Sequence, residues 1–155
     1  MKSSYDKSIS ILNDLIETCK DGQHGFSTAA KDAKDAELAR VFSQYAAQRG
    51  DYIRELQQRV RALGGDPDTH GSVSGSLHRG WINLKSALSS NEPHAVLAEC
   101  ERGEDAAVAN YRNALKEQEL ELESISLIQR QAAGVQEAHD RIKQLRDSVA
   151  YAHNK

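Results

Sequence analysis

Glu101 and Glu104, one helical turn apart, and His139 further along the chain are the side chains whose types and spacing could do chemistry together. Carboxylates at i and i+3 share one face of a helix, and with an imidazole they suit divalent cations such as iron and manganese. Dinuclear sites in helical bundles take a carboxylate from each of two helices and Glu-x-x-His from each of the other two. Here the set is incomplete: Glu101-x-x-Glu104 has no histidine, and Gln136-x-x-His139 carries glutamine where glutamate belongs. Arg49 also falls on an apolar stripe. It is a permanent cation that cannot ligate and that repels a metal.

These residues admit two readings. In the first, Arg49 makes bidentate bonds with Glu101 or Glu104, and His139 and Gln23 complete a buried polar network without cofactor. In the second, Glu101, Glu104 and His139 hold iron or manganese in a degenerate or mononuclear site. Buried charge must be compensated in either case, and the charge count favours the network. A projection at 100° per residue centres Arg49 and His139 on the buried faces of their helices, with Glu101 and Glu104 flanking a third stripe and Gln23 on a fourth. Counting from the turns places Gln23 within about one helical turn of Arg49, and Glu101 near the level of His139.

The remaining candidates read as structural. His24 points away from its stripe, His70 lies in a connector, and His94 and His153 sit at helix ends. His78 adjoins an apolar face and reads as a packing or hydrogen-bonding residue. Cys19 and Cys100 lie within apolar patterns without CxxC spacing, as expected of small core residues in a reducing compartment. No phosphate loop, HExxH or nucleophile–His–Asp constellation is present.

The elements that must position these groups are helices. Tyr5, Ile9, Leu12, Ile16, Cys19, Phe26, Ala30 and Ala33 recur at helical steps and predict a helix over 3–33, interrupted by Gly22 and Gly25, which a kink or a closely packed neighbour would explain. Leu38, Phe42, Tyr45, Tyr52, Ile53, Leu56, Val60 and Leu63 predict a second over 35–63, stopped by Gly64-Gly65 and Asp66-Pro67. A Gly/Ser-rich connector, Thr69 to Ser76, precedes a short helix over about 75–90, with Trp81 as its anchor to the bundle. Pro93 opens a fourth helix to about 117, and a fifth runs over about 120–151. Short links at 33–35 and 117–120 make two antiparallel pairs. The roughly 28 residues between the pairs are long enough to return along the bundle, so that the second helix (35–63) and the fourth (from Pro93 to about 117) run parallel.

The chain has 155 residues, 39% hydrophobic and 28% charged, which fits one domain over 1–155 with a sizeable core. Net charge is −3 with both signs interspersed. No basic stripe offers itself to nucleic acid, and Arg141, Lys143 and Arg146 are flanked by Asp140 and Asp147. No apolar run spans a membrane and no secretory signal opens the chain, so a cytoplasmic location is expected. A homodimer is the expected assembly.

The stretches Glu17-Thr18-Cys19-Lys20-Asp21-Gly22, Gly75 to Trp81, Glu99 to Ala107 and Val135 to Asp140 resemble an uncharacterised bacterial family. It is a domain of unknown function placed in the ferritin-like superfamily. The resemblance covers essentially the whole chain. It implies an all-α, ferritin-like four-helix bundle with a short extra helix in the crossover between two antiparallel helix pairs, and brings no established activity. The expected function is a non-enzymatic bundle, stress-associated or partner-binding, with the Arg/Glu/His network where relatives hold metal. The alternative is an iron- or manganese-binding protein or oxidase.

Overall fold

The computed structural model describes residues 5–67 and 81–153, and among them there are five helices and no strand. They are α1 (Asp6–Asp32), α2 (Ala36–Ala62), α3 (Leu84–Ser89), α4 (Pro93–Ala114) and α5 (Leu122–His153). None of the described helices is long and apolar enough to cross a membrane.

Local chemistry sets the helix ends. Asp35 caps α2 by accepting from the backbone N–H groups of Glu37 and Leu38 at 2.9 and 3.0 Å. The same helix stops in a Schellman turn, where Gly65 N–H donates to the Val60 carbonyl and Gly64 N–H to that of Arg61. Gly64 sits at φ +86°, a conformation open to glycine at little cost. Pro93 occupies the first turn of α4, where its missing N–H leaves nothing unpaired.

The four long helices end within a few residues of the expected positions, but α3 is shorter than the helix expected over 75–90. Trp81 to Asn83 form a turn, and the Asn83 N–H donates to the buried Glu99 carboxylate at 2.7 Å. That bond from α4 sets the start of α3. The 75–80 part of the expected helix, the Thr69–Ser76 connector, His70 and His78 lie outside the described residues.

Side-chain pairings fix the helix directions. Thr18 and Cys19 of α1 meet Asn110 and Tyr111 of α4, while Gly25 and Gly103 share one neighbour, Trp81. Rising numbers on α1 thus match falling numbers on α4. Arg59 of α2 meets Glu123 and Ser124, and Glu55 meets Arg130 and Gln131. So α2 and α5 are antiparallel as well, and α2 and α4 run the same way across the bundle diagonal.

The core forms two apolar clusters. One gathers Leu12, Leu15, Ile16, Leu56, Val60, Tyr111, Ile128 and Val135. The other gathers Phe26, Val41, Phe42, Leu84, Leu97, Cys100 and Ile142. Trp81 locks the second cluster. Its ring meets Phe26 edge-on at 5.1 Å and lies so close to Gly25 and Gly103 that a Cβ on either would come within 2.4 and 2.2 Å of it. Both glycines therefore make room for the indole, and Gly25 needs no kink to explain it.

Candidate functional site

Between the two clusters the bundle holds an ion pair. Arg49 Nη1 donates to Glu104 Oε1 at 2.6 Å and Nη2 to Oε2 at 2.5 Å. The side chains are 1% and 0% exposed, so the contact is dry. Arg49 Nε donates to Gln48 Oε1 at 3.2 Å, and the guanidinium carbon stands 5.6 Å from the centre of the Phe26 ring. Gly22 is the neighbour that gives the arginine its space, since a Cβ there would lie 2.9 Å from Nη1. Burial opposes the charge on Arg49, but the facing Glu104 carboxylate outweighs it and leaves the guanidinium even harder to deprotonate than usual.

A second set of polar groups lies about two turns further along α4, at Tyr111. Cys19 Sγ lies 3.0 Å from the Tyr111 hydroxyl, which donates to Gln131 Oε1 at 2.7 Å. Gln131 Nε2 in turn donates to Glu55 Oε1 at 3.0 Å, and Glu55 pairs with Arg130 near the surface. Burial pushes the Cys19 thiol up to about 11 and the Tyr111 hydroxyl well above its ordinary range. Burial likewise raises the Cys100 thiol. Both thiols are held protonated, the state in which cysteine is a weak nucleophile.

A third group lies at the α4–α5 margin. His139 Nε2 is 2.6 Å from Asp105 Oδ1 and 3.9 Å from Glu101 Oε2, and Nδ1 is 3.0 Å from Asp140 Oδ1. Gln136 Nε2 donates to the same Asp140 oxygen at 3.0 Å. Arg146 closes on Glu101 Oε1 and also pairs with Asp147. Partial burial works against a charge on the imidazole. The hydrogen bonds to Asp140 and Asp105, with their charges, outweigh it and raise His139 above 6.5.

The residues singled out from the sequence therefore divide. Arg49 meets Glu104. Glu101 and His139 face each other in the marginal group, one turn away along α4. Gln23 reaches over Gly50, whose added Cβ would lie 2.8 Å from the Gln23 amide nitrogen. His139 is not at the centre of the buried face of α5: its side chain is 15% exposed, while Val135, Ala138 and Ile142 make the buried line. A straight projection misplaces it because a helical stripe drifts around a long helix.

Among the participants that the sequence reading did not single out are Asp105, Gln131 and Glu99. Asp105 follows Glu101 by four residues and so shares its face. Gln131 lies between Ile128 and Val135 on the α5 stripe, so its spacing carried a signal. Glu99 pairs with Arg102 three residues on, a spacing visible in the sequence, but its bond from the Asn83 N–H in a distant turn left no signal.

The bundle centre does not fit a dinuclear metal site. Among the described residues, its one fully buried carboxylate, Glu104, has both oxygens on Arg49, and the neighbouring positions are Gly22, Phe26 and Cys19, the last held as thiol. No curated protein matches the chain. A family model matches residues 7–117, which contain Gln23, Arg49, Glu101 and Glu104 and leave His139 outside. On that match the chain belongs to the family described as a domain of unknown function, DUF2383.

Proposed function

We propose that this chain is a ferritin-like four-helix bundle, one domain over residues 1–155, that has replaced metal chemistry at its centre with the Arg49–Glu104 ion pair. It acts as a non-enzymatic, partner-binding protein of the cytoplasm, with a second copy of itself as the simplest partner. The two antiparallel pairs, with α2 and α4 running the same way, support the ferritin-like reading. The observation that carries the functional reading is the two-point contact at 2.6 and 2.5 Å, which occupies both oxygens of Glu104. A cation placed there would have to displace a guanidinium and would face its charge without water between them. Mixed surface charge and a net charge of −3 argue against nucleic acid as the partner.

The test is Fe2+ oxidation, followed as oxygen uptake, by protein purified without chelator. The expected result is a rate no greater than that of the Glu104→Gln variant or of iron alone. Oxidation that the wild type accelerates and Glu104→Gln abolishes would overturn the reading in favour of an iron or manganese oxidase. Sedimentation over a concentration series tests the dimer, with a constant monomer mass as the result against it.

A further inference from the structure

We infer that the α4–α5 margin carries a mononuclear divalent-cation site formed by Glu101, Asp105 and His139, separate from the ion pair at the bundle centre. One donor atom from each of the three lies within 4.8 Å of the others. A first-row ion about 2.1 Å from each of its donors would set them roughly 3 to 4 Å apart. The Glu101–His139 distance of 3.9 Å already falls in that range. The 2.6 Å contact between Asp105 and His139 has to open slightly, which the 61% exposed Asp105 side chain can do.

The imidazole is oriented for the task. Asp140 faces Nδ1 and is itself held by Gln136, so Nε2 is the nitrogen turned toward the two carboxylates. A carboxylate on the far ring nitrogen is the partner that fixes tautomer and ring angle in histidine–metal sites. The ion takes the place of the Nε2 proton, which leaves to solvent. Arg146 is the only basic side chain paired with the set among the described contacts. It engages Glu101 through Oε1 and leaves Oε2 facing His139.

Glu101 and Asp105 stand one turn apart on α4 and His139 comes from α5, so a bound ion would join the two helices. Two carboxylates and one imidazole at a solvent edge suit borderline first-row ions, Mn2+ through Zn2+, with water in the remaining positions.

Titration of the full chain with Zn2+ by calorimetry tests this, with Mn2+ as a paramagnetic probe in amide NMR. One equivalent of Zn2+ is expected to bind, and Mn2+ broadening should centre on residues around 101–105 and 139. Asp105→Asn and His139→Gln are each expected to weaken Zn2+ at least about tenfold, and Asp140→Asn by about tenfold or more. Arg146→Met should tighten binding by removing a competing cation. Glu104→Gln should leave Zn2+ affinity unchanged, which separates this site from the central reading. Circular dichroism checks that each variant is folded. Zn2+ dissociation constants above about 1 mM, or binding that Asp105→Asn and His139→Gln leave intact, would overturn the proposal.

Discussion

Glu101 and Glu104 stand one turn apart on α4 and are drawn into different chemistry. Glu104 points to the bundle diagonal and is bonded at both oxygens to Arg49, while Glu101 turns to the margin, to Arg146 and His139. The sense of that division is energetic. A carboxylate with no exposure survives only with a partner of matching geometry, and the planar guanidinium across the diagonal is one.

Breaking the pair from one side should therefore cost more than removing it. Arg49→Met or Glu104→Gln is expected to lower unfolding free energy by about 3–5 kcal/mol, because each strands a polar partner in the core. The double variant Arg49→Met/Glu104→Met should recover most of that loss. Urea unfolding of the four proteins makes the comparison, and additive losses would contradict it.

Trp81 is the chain's one tryptophan, so its fluorescence reports on a single place. Gly25→Ala and Gly103→Ala each put a methyl group into the indole ring. Each should shift the emission to longer wavelength and destabilise the protein by about 1–3 kcal/mol. Unchanged emission in both would mean the indole does not depend on the two glycines.

The two cysteines should resist thiol reagents in the native protein. With the Cys19 thiol raised to about 11, only about a thousandth of it is thiolate at pH 8, and its burial blocks access. Reaction with a disulfide reagent is expected to be at least about 100-fold slower in buffer than in denaturant. Comparable rates would show that the helices open readily around Cys19 and Cys100.

Acid should loosen the end of the bundle where α1 begins. Partial burial pushes the Glu121 carboxyl up, but bonds from Ser8 at 2.6 Å and Ser124 at 2.8 Å, with the Arg59 charge, hold it below 4.5. A carboxyl lowered on folding stabilises the protein above its unfolded value, and that contribution fades as pH falls through the folded value. Glu121→Gln should thus cost stability at pH 6 and progressively less below about pH 4.5, measured by urea midpoints across that range. A cost independent of pH would assign the effect to packing.

Much of the architecture was legible in the residues themselves. Apolar steps such as Leu12, Ile16 and Cys19, the Gly64-Gly65 stop and the Pro93 start specify helices through short-range geometry, which any chain of that pattern must obey. Arg49 was legible for a different reason: a charge on an apolar stripe needs a partner wherever the stripe is buried. Which partner it takes is a matter of helix rotation and register, set by how side chains on separate helices interlock. Only the tertiary structure chose Glu104 over Glu101, brought Asp105 to His139, seated Trp81 between Gly25 and Gly103, and started α3 at the bond from Asn83 to Glu99. Those contacts join residues far apart in the chain, and a helical period of 3.6 says which face a residue occupies without saying what that face will meet.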